Sequence, residues 1–125
     1  MTQEQRKDSR RLALGPGFAV RFEAAGKPLE ALPMLNLSYG GCFCLVPFRE
    51  ARHFERGVAI ANLSLIHPEL PLGRIQAQVA YTLGGNAAMD HMEQVGMGIQ
   101  FTEMEPLTRA SMQTWLDREW EKRGL

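Results

Sequence analysis

"RIQAQVAYTL" (Arg74–Leu83) alternates along its whole length. Ile75, Ala77, Val79, Tyr81 and Leu83 fall on one parity, and Gln76, Gln78 and Thr82 on the other. A period of two sends the two sets to opposite faces of an extended chain, so this stretch reads as a half-buried strand. The same pattern recurs upstream in "FAVRFEAAG" (18–26), with Phe18, Val20 and Phe22 against Ala19, Arg21 and Glu23. Four more segments fit short strands. These are residues 29–37, where Pro33 signals an edge or a bulge, "CFCLV" (42–46) stopped by Pro47, "VAIANLSLI" (58–66), and "VGMGIQFTEM" (95–104). In the last, Gly96 and Gly98 imply close packing or a bend.

Breakers separate these segments. "LGPG" (14–17), "GKP" (26–28) and "HPELPLG" (67–73) are turn chemistry, while "REARHFERG" (49–57) and "GGNAAMDHMEQ" (84–94) read as loops. After Pro106 the period changes. Met112, Trp115, Leu116 and Trp120 recur at helical spacing, and Asp117, Arg118, Glu121 and Lys122 cover the other side. Proline suits the first turn of this helix and Gly124 its stop. The two tryptophans either pack into the core or form a contact face for a dimer partner or an effector. Six short strands followed by one helix give an all-β sandwich or small barrel with a helical tail. The expected division is a flexible basic arm (1–14), a barrel (15–104) and an amphipathic helix packed on or beside it (105–125).

Composition bounds the function. The 125 residues suit one domain, and at 45% hydrophobic they can build a packed core. Fourteen basic and fourteen acidic residues cancel, which argues against a nucleic-acid binder working through a broad basic surface. Aromatics are only 8%, too few for a single-strand-binding groove lined with stacking rings. A small local anion site remains open. Cys42 and Cys44 share one strand face, are poorly spaced for a disulfide and lack further zinc ligands. They read as reduced core thiols, which fits a cytoplasmic protein. "MTQEQRKDSRRLAL" has no apolar h-region, and no run approaches the ~18 residues of a membrane span. His53, His67 and His91 lack nucleophile or acid partners at motif spacing, so no enzyme is expected.

Two polar clusters stand out. "RKDSRR" (6–11) holds Arg6, Lys7, Arg10 and Arg11. It is either a solvated tail or an anion clamp, since guanidinium forks bind phosphate and the edge of guanine bidentately. "NLSYGG" (36–41) is either a glycine turn or a strand end presenting Asn36 and Ser38 on one face to a ligand.

In this order and spacing the two clusters resemble the paired motifs of PilZ domains, Arg-x-x-x-Arg followed by [Asp/Asn]-x-Ser-x-x-Gly. The Gly-x-Gly strand at 95–104 and the helix after it resemble the same family, so the likeness spans nearly the whole chain. The resemblance implies a six-stranded antiparallel β-barrel of the split-barrel type with a C-terminal α-helix, acting as a receptor for cyclic di-GMP. It implies that Arg6 and Arg10 contact phosphates and guanine edges, with Arg11 assisting. Asn36 and Ser38 would hydrogen-bond a guanine, and Gly41 would shape the turn beneath it. A second register, Lys7 with Arg11, has the same four-residue step. The family often takes the ligand as two stacked molecules. It further implies a downstream protein effector in motility, exopolysaccharide, biofilm or pilus control, and a monomer or homodimer without nucleic acid, metal, cofactor or membrane insertion. The alternative within the family is an adaptor that binds no cyclic di-GMP.

Overall fold

The computed structural model describes residues 10–83 and 93–124. The strands are β1 (Leu12–Ala13), β2 (Ala19–Ala24), β3 (Lys27–Leu37), β4 (Gly41–Pro47), β5 (Ala59–Ile66), β6 (Ile75–Leu83) and β7 (Gln94–Met104). The helices are α1 (Phe48–Ala51) and α2 (Pro106–Lys122). The sheet runs β1-β3-β2-β5-β6-β7-β4, and β3 also pairs with β4. Every pairing is antiparallel. The six longer strands therefore close on themselves, which leaves no long edge open.

Alternation builds the interior. Val20, Phe22, Met34, Leu37, Cys44, Val46, Ile60, Leu63, Ile75, Val79 and Met97 are all almost fully buried and belong to one core. Met112 and Leu116 of α2 are as buried as any strand residue, and Trp115 and Trp120 join the same core. The tryptophans thus pack inward, and the helix is part of the hydrophobic core of the barrel. Each fully buried apolar side chain contributes about 1.5–3 kcal/mol.

Several local expectations need correction. The β2–β3 turn is Ala25–Gly26, not "GKP", because Ala24 pairs with Lys27. Both turn residues have positive φ (52° and 75°), the conformation that keeps a two-residue hairpin in register with twisted strands. In β3 the register slips beside Ala31 (φ 48°) and again at Leu35, so Pro33 lies between two bulges. Residues 49–57 are not all loop: α1 ends at Ala51, and Phe54 turns inward, 1% exposed, edge-on to Phe22. Part of the expected flexible arm is ordered. Leu12 and Ala13 pair with Leu37 and Asn36, the Leu14 N–H donates to the Leu35 carbonyl, and Leu12 is fully buried. Leu12 in the core, Leu14 packed against it and the backbone pairing together hold the chain there. No helix among the described residues is long and apolar enough to cross a membrane.

Candidate functional site

β3 ends at "NLSYGG", and the turn is held by its own polar atoms. The Ser38 N–H donates to the Gly41 carbonyl at 2.8 Å, and Ser38 Oγ both donates to that carbonyl and accepts from the Gly41 N–H, each at 3.1 Å. Ser38 is therefore a buried clasp, its hydroxyl using its proton and one of its two lone pairs on Gly41. Gly41 does not supply an unusual φ. A Cβ there would run into the backbone carbonyl of Ile99, so glycine is needed for close approach of β4 to β7. The Phe101 N–H donates to the Gly40 carbonyl at 2.8 Å and closes the turn onto β7. Tyr39 is buried and its hydroxyl donates to Asp117 of α2, so the same turn is tied to the helix.

Outside the barrel, cross-strand pairing sets two rows. Asn36, Phe43, Gly98 and Tyr81 are successive partners across β3, β4, β7 and β6, and Gly41, Gln100 and Gln78 form the next row. Paired residues share a face. The glycines at 96 and 98 leave room for rings: a Cβ on Gly96 would strike Phe43, and one on Gly98 would strike Tyr81. The two rings meet at 6.2 Å. Gln78 donates to Gln100 at 2.9 Å. Along one side of this face runs an open cleft of about 380 Å³, lined by Arg11, Asn36, Ser38, Gly40, Gly41, Tyr81, Gln100 and Arg109 among others.

Four of the sequence-derived site residues thus line one cleft: Arg11, Asn36, Ser38 and Gly41. Arg10 does not. Its guanidinium lies over the Trp120 ring, 4.5 Å from the centroid, while that of Arg11 lies 5.9 Å from the Tyr81 centroid. Successive residues of an extended chain point to opposite sides, which separates the two. Arg6 and Lys7 lie outside the described residues, as does His91. Tyr81, Gln100 and Arg109 belong to the cleft and are absent from both motifs. Tyr81 was expected to face inward, in phase with Val79. The register slips between the two, Val79 pairing with Ile99 and Tyr81 with Gly98, so one extra residue turns the ring outward.

The electrostatics favour an anion. Among the described residues no carboxylate lines the cleft, and Arg10, Arg11 and Arg109 form no ion pair. Cys42 and Cys44 are free and buried. Burial pushes both thiols up, Cys42 with a further contribution from Cys44 beside it, and Cys44 to about 12. They stay protonated and inert at neutral pH. His67 stacks on Phe18 at 3.8 Å and accepts from the Glu69 N–H at 3.1 Å, away from the cleft. No cluster of metal-ligating side chains occurs among the described residues.

A closed six-stranded antiparallel barrel with a flanking strand, a C-terminal helix in its core and an arginine-edged cleft defines the class. Among solved structures it is similar to the PilZ domain of YcgR from Escherichia coli with c-di-GMP, at 15% identity and TM-score 0.65, covering 92% of this chain and 94% of that one. K. pneumonia MrkH in its c-di-GMP complex gives 16% identity and TM-score 0.73, covering 91% of this chain and 52% of that one. The Borreliella burgdorferi PlzA complex with c-di-GMP gives 6% and 0.57, over 94% and 54%. The chain thus spans about half the length of MrkH and PlzA. No protein-family model and no curated protein sequence matches it. The chain has a PilZ-like fold.

Proposed function

We propose that this protein is a receptor for cyclic di-GMP. The observation that carries the reading is the meeting of the arm and the turn: Arg11, Asn36, Ser38 and Gly41 line a single cleft with no carboxylate among the described residues. The ligand has two phosphates and two guanines. Guanidinium forks suit both, Asn36 and the spare lone pair of Ser38 suit a guanine edge, and the Tyr81 ring offers a stacking surface. The same chemistry is bound by the structural neighbours whose complexes contain c-di-GMP.

In this reading Arg10 transmits the signal. Its guanidinium is exposed above the buried Trp120 ring, and a cation–π contact with a solvated cation contributes about 0.5–1 kcal/mol. A charge-assisted hydrogen bond to phosphate contributes about 1.5–3 kcal/mol. Ligand therefore draws Arg10 off Trp120 and alters the surface at the end of α2, where a partner protein reads the change.

Calorimetric titration with cyclic di-GMP, cyclic di-AMP and GTP tests the assignment. Saturable heat is expected with cyclic di-GMP, much weaker binding with the other two, and a shift in tryptophan emission at saturation. Arg10→Ala and Arg11→Ala both weaken binding, and the more damaging of the two reports which register grips the ligand. No heat at high micromolar cyclic di-GMP overturns the receptor reading in favour of the adaptor one.

A further inference from the structure

The cleft has a wall that neither motif supplies. α2 begins at Pro106, just after β7 ends at Met104, and packs into the same core as the barrel. Its first turn is seated by Thr108, which is buried against Gly73 so closely that a Cβ on that glycine would clash. Farther along, Asp117 accepts from Tyr39 of the turn. Held at these two points, the helix places the next residue, Arg109, on the cleft beside Gly40, Gly41 and Phe101.

Arg109 is half-buried and makes no ion pair or hydrogen bond through its side chain among the described residues. Arg11 stands on the same cleft, also without a carboxylate partner among the described residues. Two like charges framing one opening repel each other until an anion enters between them. A cyclic dinucleotide has two phosphates on opposite edges of its ring, which matches cations on separate walls.

We propose that Arg109 is a further ligand-binding residue, contacting a phosphate of the cyclic dinucleotide from the helix side. This rests on the receptor reading above. It makes α2 a direct participant in binding, in addition to the contact of its far end with Arg10.

The test is titration of the full chain and of Arg109→Gln and Arg109→Lys with cyclic di-GMP at several NaCl concentrations, with urea midpoints measured in parallel. Loss of one charge-assisted contact weakens Arg109→Gln by about tenfold or more. Arg109→Lys, which keeps a point charge able to hold phosphate, stays within about threefold. Affinity falls less steeply with salt in Arg109→Gln than in the parent, a change that a purely structural role would not produce. Arg109→Gln binding within about twofold of the parent, while Arg10→Ala or Arg11→Ala is impaired, overturns this inference alone. Equal weakening in Arg109→Lys and Arg109→Gln overturns the phosphate contact. Absence of binding by the parent overturns the inference together with the receptor reading.

Discussion

At the residue scale, one atom decides what Gly41 is for. The glycine in this motif suggests conformational freedom, yet what the position needs is the absence of a Cβ facing the Ile99 carbonyl. Backbone cannot swing aside as a side chain can. Gly41→Ala must therefore open the β4–β7 ladder, at a cost of about 1–3 kcal/mol or more. Gly98→Ala meets only the ring of Tyr81, which can rotate, and is expected to cost less. Urea denaturation of the two variants checks the order. If Gly98→Ala is the more destabilising, the close-approach account of Gly41 is wrong. Ser38 carries a related lesson. Its place in the motif was legible, but the hydrogen bonds that make it a clasp run to Gly41 itself, and only the contacts within the turn reveal them.

At the scale of elements, α2 has most of the consequences. Its apolar spacing was readable from Met112 to Trp120, and those residues are buried together with Thr108. What it touches was not readable. Trp120 packs edge-on to Tyr39 at 5.4 Å and carries Arg10 on its face, and its indole N–H has no hydrogen-bond partner among the described residues. A buried unsatisfied donor costs about 1–3 kcal/mol. Trp120→Phe removes that donor and keeps a ring, so it should stay within about 1.5 kcal/mol of the parent. Trp120→Ala leaves a cavity and should cost about 3–5 kcal/mol. Chemical denaturation measures both, and equal losses would show that the indole nitrogen is satisfied. The Arg123 guanidinium donates to the Ala13 carbonyl at 2.5 Å, which ties the end of α2 to the strand that carries the arm.

For the whole molecule, net charge is zero while the cleft gathers Arg11 and Arg109 with no carboxylate among the described residues that line it, so charge is spread unevenly over a neutral sum. The core carries a pH dependence of its own. An unfolded thiol ionises near 9.0, while Cys44 in the barrel holds its proton to about 12. The folded state therefore binds the proton more tightly. Stability from this group is complete below 9.0 and falls as pH climbs towards 12. Urea midpoints should drop more steeply above pH 9.0 in the parent than in Cys44→Ala, and parallel profiles would contradict the burial account.

The strand count of the barrel, the apolar face of the helix and the two polar clusters were all legible along the chain, because each is a local pattern of period or spacing. Where those patterns end up depends on long-range packing. A single bulge after Val79 sends Tyr81 outside, because one inserted residue reverses the face of everything beyond it. Arg10 and Arg11, adjacent in the chain, part to Trp120 and to the cleft. Arg109 reaches that cleft only because β7 and α2 fold back against a turn whose Tyr39 contacts Asp117 across 78 residues of chain. Contacts at that separation come from packing the closed barrel and its helix into one core, which no local period encodes.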